Sequence, residues 1–532
     1  MTTRDAVLHR VLDAVVADDL PGAIAVAGRA FEQDGDGWHR ALGAFALFLS
    51  ADYAGAAALG DEALAFAGDA ESLQLARAAR GIAGAGHSAD GPDHLAAARA
   101  DAMPHHAFTR YLLAEACLAS ARLDLAAEFV DLSPLTPLGH PYDAMMTVMR
   151  VRLLVFRGRI TEAADLLTTI PRPEPMLMQL LVSATETLVR GNAAERSEVR
   201  ALADRLEATV PHPRNYLTAG VYLLVAFGLV AVGDVSRSAR LALLAGGDVT
   251  LARLVTADRG LSFELLVAAA ALEGDVDAAD AWCAQAEPLL ANPISNSTIE
   301  RVHSRVELLH GHAAAAVEWA DRAVASARAQ GRVVEVAEGE IVAARARIAD
   351  SQAGDASSRL ATMVEGADAS GYVAARRAAA RERRAAGRRL RPAPGSEWAG
   401  LSERERDVAL MVAEGLGNRE IAAELHLSEH TVRAHVSRVL AAFGAASRFV
   451  VAARVAELFP DPESGSAAPL TPRQQAVAER IARGAGNAEI GGELGLSVKT
   501  VEKHVGEIFR RWGVGSRVGV ARRYRSLRQA PS

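Results

Sequence analysis

The sequence predicts an all-α protein, with an α-solenoid of helical-hairpin repeats over residues 1–385 followed by two small helical domains. Three observations point there. Alanine, leucine, arginine and glutamate dominate the first 385 residues, with apolar residues recurring at three and four and short Gly, Pro, Asp or Asn breaks between runs. A weak internal repeat runs through that region. Finally, EIAAELHLSEHTVRAHV (Glu420 to Val436) returns sixty-nine residues later as EIGGELGLSVKTVEKHV (Glu489 to Val505).

Composition bounds the reading. A chain of 532 residues, half of them apolar, can bury several cores and holds more than one domain. A net charge of -7 argues against a protein that coats nucleic acid or anionic membrane, so any basic site is local. Cys117 and Cys283 lie far apart in alanine-rich surroundings and read as buried thiols. The opening MTTRDAVLHRVLDAVVADD scatters charge through its apolar positions and has no h-region, so a cytoplasmic location is expected. The uncharged stretch Tyr216 to Gly233 reaches the lower edge of a membrane-spanning length. It falls where the repeat expects a helix, and is predicted to be a buried solenoid helix with no membrane partner.

The repeat consists of a glycine that ends one helix and a small residue five positions later in the next. It occurs at Gly158 and Ala163, Gly233 and Ser238, Gly274 and Ala279, and Gly311 and Ala316. Glycine permits a sharp turn, and the small side chain permits close packing. The glycines at 233, 274 and 311 are separated by 41 and 37 residues, in the range of two-helix repeats. This resembles a tetratricopeptide-like solenoid; a helical bundle with glycine turns is the alternative.

No chemistry emerges from this half. GAGHSA (Gly84 to Ala89) follows a helical run instead of a strand, so it reads as an interhelical loop and not a dinucleotide site. His105, His106, His310 and His312 have no convergent ligands. No GxxxxGK[ST] occurs, and no paired catalytic constellation is visible. Neither an enzyme, a metal nor a cofactor is expected.

A charge run follows, with Arg376, Arg377, Arg381, Arg383, Arg384, Arg388, Arg389 and Arg391 against Glu382. It reads either as a solvated helix end or as a phosphate-contacting stretch. Pro392, Pro394 and Gly395 make residues 386–399 a linker.

In the first copy, a helix from about Asn418 to Leu425 precedes a turn at His426, and Ser428 is placed to cap a second helix. The second copy repeats this with Asn487, Leu494, Gly495 and Ser497. His426 and Gly495 suit the left-handed conformation of a tight turn, and the pair of helices forms a helix-turn-helix. Val432, Val436, Val439, Leu440 and Phe443 make one apolar stripe, reproduced by Val501, Val505, Ile508, Phe509 and Trp512. The opposite faces carry Arg433, Ser437 and Arg438, and Glu502, Lys503 and Arg510. A helix buried on one side, polar on the other and capped at an exposed end suits the major groove.

The segments LSERERDVALMVAEGLGNREIAAELHLSEHTVRAHVSRVLAAFGAASR and LTPRQQAVAERIARGAGNAEIGGELGLSVKTVEKHVGEIFRRWGVGSR each resemble the four-helix DNA-binding domain of the LuxR-type transcriptional regulators. The resemblance covers residues 400–458 and 469–528, separated by a linker at 459–468. It implies backbone contacts from Arg419, Thr431 and His435 in the first copy, and from Thr500 and His504 in the second. It also implies base-facing positions at Arg433, Ala434 and Ser437, then at Glu502, Lys503 and Gly506. Ser428, Arg438, Ser497, Lys499 and Arg510 complete the candidate DNA-binding set.

The copies differ where they would read. Arg433 suits a guanine edge, whereas Glu502 accepts only from cytosine or repels phosphate. Arg404 and Glu405 become Arg473 and Gln474, and Arg419 becomes Ala488. Either the first copy supplies base-specific contacts and the second phosphate affinity, or the second copy is a dimerisation partner. The stretch Phe459 to Leu470 can extend about 40 Å, enough for one chain to span successive major grooves about 34 Å apart.

The expected function is therefore sequence-specific DNA binding in a bacterial transcriptional regulator. The helical region senses a small molecule or a protein ligand, and a homodimer is a further expected partner. A scaffold that binds DNA only non-specifically is the alternative reading.

Overall fold

The computed structural model describes residues 3–87, 91–101, 105–131, 136–209, 212–386, 398, 401–413, 416–445, 448, 450, 451, 454, 455, 470–482, 485, 487–512, 520 and 524, without the side chains of 86, 87, 91, 92, 131, 488, 489 and 510. Among these residues every regular element is helical, and no strand occurs. The chain divides into two units, Met1–Arg389 and Leu390–Ser532.

Among the described residues the first unit holds 21 α-helices. The first ten are α1 (Thr3–Val16), α2 (Leu20–Asp34), α3 (Gly37–Leu49), α4 (Tyr53–Ala65), α5 (Ala70–His87), α6 (Gly91–Ala100), α7 (Ala107–Ala119), α8 (Leu123–Asp131), α9 (Asp143–Phe156) and α10 (Ile160–Leu167). Then come α11 (Met176–Asn192), α12 (Arg196–Thr209), α13 (Tyr216–Ala231), α14 (Val235–Gly246), α15 (Thr256–Glu273), α16 (Val276–Ala286), α17 (Asn296–Leu309), α18 (Ala313–Ala329), α19 (Val333–Ala349), α20 (Ala353–Ser370) and α21 (Val373–Ala385).

Each odd helix and the even helix after it form a hairpin. At nine described hairpin turns, Asp18, Ala51, Ala121, Gly158, Ala194, Gly233, Gly274, Gly311 and Ser351 have φ between 55 and 85°. The next N–H then donates to a carbonyl five residues back, as from Asp19 to Ala14, Arg122 to Cys117, Asp275 to Ala270 and Gln352 to Arg347. This is the Schellman closure, which satisfies carbonyls the helix end would otherwise orphan. Five residues after the turn comes a fully buried side chain, Ala23, Ala56, Ala126, Ala163, Val199, Ser238, Ala279, Ala316 or Ala356. The four glycine turns read from the sequence are thus members of a longer series. The α5–α6 turn lies outside the described residues.

The hairpins stack in a consistent order. Odd helices, α13 and α15 excepted, pack against the next odd helix, as α3 with α5, α5 with α7, α11 with α13 and α17 with α19. Even helices make their principal contacts only with their sequence neighbours, so they form the outer layer. Longer-range packing pairs α1 with α11, α3 with α13, α5 with α15 and α11 with α21. The offset is always ten helices, so one superhelical turn takes five hairpins and successive turns touch. Side chains join the turns: Asn215 Nδ2 donates to Asp18 Oδ1 at 2.8 Å, Arg377 Nη1 donates to the Ala194 carbonyl at 2.6 Å, and Phe48 meets Tyr216 with ring centres 4.5 Å apart. Where α11 crosses α13, a Cβ on Gly191 would lie 2.5 Å from the Gly228 carbonyl oxygen, so only glycine permits that approach.

The uncharged stretch at 216–231 is α13, capped by Asn215 and Thr218 and buried against its neighbours. No described helix is long and apolar enough to cross a membrane. Both cysteines are free and buried, and burial pushes the Cys283 thiol up to about 11. GAGHSA begins within the last turns of α5.

The basic run is partly absorbed by the solenoid. Arg376 pairs with Asp368 at 2.5 Å, Arg377 holds the Ala194 carbonyl, Arg383 donates to the Ser357 carbonyl at 2.9 Å, and Glu382 pairs with Arg345 at 2.8 Å. For these residues the phosphate-contact alternative gives way to packing within α21 and its neighbours. Arg388, Arg389 and Arg391 lie outside the described residues.

Candidate nucleic-acid interface

The first C-terminal copy is built on α22 (Glu403–Ala413), α23 (Asn418–Leu425) and α24 (Glu429–Ala442), the second on α25 (Pro472–Ala482), α26 (Asn487–Leu494) and α27 (Val498–Trp512). Of the fourth helix expected in each, the described residues include Val451 and Val455 in the first copy and Val520 in the second. All three are helical and buried in their copy's core.

The turn of each helix pair forms as its residues dictate. His426 has φ 54° and Gly495 φ 62°. The Leu427 N–H returns to the Ala422 carbonyl, and the Leu496 N–H to the Gly491 carbonyl, both at 2.9 Å. Ser428 Oγ accepts the Thr431 N–H at 3.1 Å and lies 2.8 Å from the Thr431 hydroxyl; Ser497 and Thr500 repeat both distances. Two residue pairs thereby fix where α24 and α27 begin, each cap contributing about 1 kcal/mol. The Ser and Thr hydroxyls in the candidate set are therefore held by the cap they form.

The stripe read from the sequence is the core. Val432, Val439 and Phe443 are buried with Val408, Ile421 and Leu425, while Val436 and Leu440 pack at the edge. In the second copy Val501, Val505, Ile508 and Trp512 are buried with Val477, Ile481 and Ile490. The opposite face is open. Arg433, Ala434, Ser437 and Arg438 are exposed on α24, as are Glu502, Lys503 and Gly506 on α27. Arg419, Ser428, Ser497 and Lys499 are also exposed, and Thr431, His435, Thr500 and His504 are half-buried. The His435 Nδ1 is turned inward without a hydrogen-bond partner among the described residues. The Arg510 side chain lies outside the described residues.

Several structural contacts were not anticipated. Arg404 Nη2 donates to the Leu425 carbonyl at 2.7 Å, and Arg473 Nη2 to the Leu494 carbonyl at 2.5 Å, so the opening arginine ties the first helix to the C-terminus of the second. Arg448 closes on the Leu416 carbonyl in the same manner at 2.5 Å. The Glu420 carboxylate accepts the Gly417 N–H at 2.7 Å, capping its own helix. Glu405 accepts the Ser402 N–H at 3.0 Å and a bond from Arg438 Nη1 at 3.2 Å. The Ser402 backbone and hydroxyl and the Arg438 guanidinium together hold the Glu405 carboxyl below the usual carboxylate range. Arg438, read as a DNA-facing cation, thus shares its charge with Glu405 while staying largely exposed.

The second copy makes the same junction with other atoms. Gln474 Oε1 accepts the Thr471 N–H at 3.1 Å, and Gln474 Nε2 donates to Glu507 at 2.9 Å. Glu507 stands sixty-nine positions after Arg438, as Gln474 does after Glu405. The ion pair has become an amide-to-carboxylate bond with its polarity reversed. Aligning the copies at that offset is the sequence signal that would have found it.

Residues 399–456 and 468–524 match the family described as bacterial regulatory proteins, luxR family. The two C-terminal domains are therefore luxR-type helix-turn-helix domains. Among similar proteins, Mb0914c of Mycobacterium bovis, described as an HTH-type transcriptional regulator, is 48% identical over 65 residues, 12% of this chain and 7% of its own length. Transcriptional regulatory protein UhpA of Escherichia coli K12 is 47% identical over 60 residues, 11% of this chain and 31% of its own. The chain thus spans less than a third of the length of either relative. A chain in the crystal structure of the APC/C hetero-tetramer Cut9-Hcn1 aligns over 73% of this chain and 93% of its own length, at 12% identity and a TM-score of 0.25, too low to carry an argument about fold.

Proposed function

We propose that the protein is a sequence-specific, DNA-binding transcriptional regulator of the bacterial cytoplasm, controlled by what its superhelical region binds. The observation that carries this reading is the open polar face of α24, on a helix whose other side is core and whose N-terminus is capped by Ser428. Such a helix presents Arg433, Ala434 and Ser437 to base edges, with Arg419, Thr431, His435 and Arg438 placed toward the backbone. The second copy presents Glu502, Lys503 and Gly506, flanked by Lys499, Thr500, His504 and Arg510. Because Arg433 suits a guanine edge and Glu502 accepts only from cytosine or repels phosphate, the copies do not read the same sequence.

The two copies divide the work: the first selects sequence and the second adds phosphate affinity. Residues 469–528 carry twelve Lys or Arg against five Asp or Glu, whereas residues 400–458 carry seven against eight. Each phosphate neutralised adds salt-dependent affinity without base preference. A genome-wide DNA pull-down with the intact chain and with residues 397–532 tests the reading. Enrichment of a shared sequence by both, altered by the superhelical region, is the expected result. Equal affinity for random and genomic DNA at physiological salt would overturn it in favour of a scaffold.

A further inference from the structure

The inner layer of the superhelix encloses a cavity of about 270 Å³, reached by helices from both superhelical turns and lined by residues from Phe45 to Tyr372. Its wall is mainly aliphatic and aromatic, with Phe45, Phe48, Tyr111, Tyr142, Tyr216 and Phe227 among the rings. Packed cores rarely leave such a space. A cavity of this size with a few polar groups in an apolar wall has the make-up of a small-molecule site.

The charges in the wall are unequal in a way that selects the ligand. Four arginines line it, Arg152, Arg301, Arg305 and Arg332, and each is engaged. Arg152 Nη1 lies 2.9 and 3.1 Å from the Glu115 oxygens, Arg301 holds Glu264 at 2.6 Å, Arg305 holds Glu264 at 3.1 Å, and Arg332 holds Glu335 at 3.0 Å. Glu338 accepts the Tyr372 hydroxyl at 3.3 Å. Asp258, on the first turn of α15, is the exception. Among the described residues its carboxylate has neither a hydrogen bond nor an ion pair, although it lies in the wall with five acids against four arginines. A half-buried carboxylate without a partner is costly, and the cost is removed by a cation.

We propose that this cavity binds a small organic amine with an apolar or aromatic body, its ammonium group paired with Asp258 and its body seated among the rings of Phe48, Tyr111, Tyr142 and Tyr216. The proposal deepens the reading that the superhelical region is the sensing part of the protein and rests on it. Three features agree on a cation: the free carboxylate, arginines that each already hold a glutamate although Arg152 Nε and Arg332 Nε make no hydrogen bond among the described residues, and aromatic rings, which attract positive charge. Burial raises the Asp258 pKa to about 6, so the carboxylate is ionised at pH 7 and protonated below. The charges that act on it are those of Arg152 from α9 and Glu115 from α7; its own charge acts on Tyr53 from α4 and Tyr216 from α13, and Arg253 and Arg259 act on the adjoining Tyr53.

The test uses the full chain and three probes of one shape, 4-phenylbutylamine, 4-phenylbutanol and 4-phenylbutyrate, titrated by calorimetry. The amine is expected to bind at least tenfold more tightly than the alcohol at pH 7.5, with the preference shrinking at pH 5. Asp258→Asn, which keeps the shape and removes an unpartnered charge, is expected to fold at least as well by thermal melting and to abolish the preference. Equal binding of all three probes, a preference for the carboxylate, or unchanged amine selectivity in Asp258→Asn overturns the proposal. Measuring DNA affinity with and without the amine separates the two readings. Selective binding that leaves DNA affinity unchanged supports the site and overturns its sensing role, whereas loss of selectivity overturns the site and leaves DNA recognition standing.

Discussion

The two luxR-type copies have the same turn, the same cap and the same apolar stripe, yet at the junction of their first and third helices they exchange Glu405 and Arg438 for Gln474 and Glu507. On the open face they exchange Arg433 for Glu502 and Ala434 for Lys503. The backbone is set by Ser428 and Thr431 or Ser497 and Thr500, by the Arg404 and Arg473 bonds to a helix carbonyl, and by buried Val, Ile and Leu. None of these can change without disturbing the helix pair. The exposed positions carry no such load and are free to diverge, so the comparison separates what shapes each domain from what each would touch.

The strongest way to break the comparison removes one scaffold. Phe443→Ala and Trp512→Ala each delete a buried aromatic of the shared stripe and are expected to cost about 3–5 kcal/mol, near the whole stability of so small a domain. Hydrogen exchange on the intact chain should show each variant melting its own copy. On DNA, Phe443→Ala should abolish sequence preference, while Trp512→Ala should weaken binding and keep the preference. The reverse pattern would assign the reading to the second copy.

A finer test leaves both scaffolds intact. Arg433→Ala is expected to lose on the order of 1–3 kcal/mol at one base pair of the preferred sequence. Lys503→Ala should weaken binding evenly across sequences and lower the salt slope by about one. Binding curves at several salt concentrations, on a panel of single-base variants, read both effects. If the two substitutions relaxed the same base position, the division of labour would fail.

The sequence made some of this architecture visible at the level of single residues and concealed the rest. The helix-turn-helix boundaries, Ser428, Ser497, His426 and Gly495 were legible because a cap and a left-handed turn demand particular side chains. In the solenoid, hairpins were legible only at Gly158, Gly233, Gly274 and Gly311. The same turn at Asp18, Ala51, Ala121, Ala194 and Ser351 is made by residues that adopt positive φ at a steric cost, which leaves no glycine to notice. The buried residue five positions later marks all nine, but one alanine among so many is no signal. The closure of the superhelix every ten helices depends on contacts such as Asn215 with Asp18, nearly two hundred residues apart, which no local pattern encodes. Asp258 was passed over for the same reason: its isolation exists only once α4, α7, α9 and α13 come together around it.

The smallest expected effect concerns the exchanged pair. If Glu405 with Arg438 and Gln474 with Glu507 are two solutions to one junction, each partner fits only its own. Arg438→Glu sets two carboxylates against each other where Arg438 Nη1 now lies 3.2 Å from Glu405, and should destabilise the first copy by about 0.5–1 kcal/mol, since the arginine is largely exposed. Adding Glu405→Gln to it recreates the arrangement of the second copy and should recover most of that loss, because the amide introduced at position 405 donates to the carboxylate introduced at position 438, as Gln474 does to Glu507. The readout is a double-mutant cycle on the first copy's exchange-protected amides, with a coupling of similar size and favourable sign expected. Additive losses would mean that the two junctions are unrelated, and that the match between the copies ends at the core.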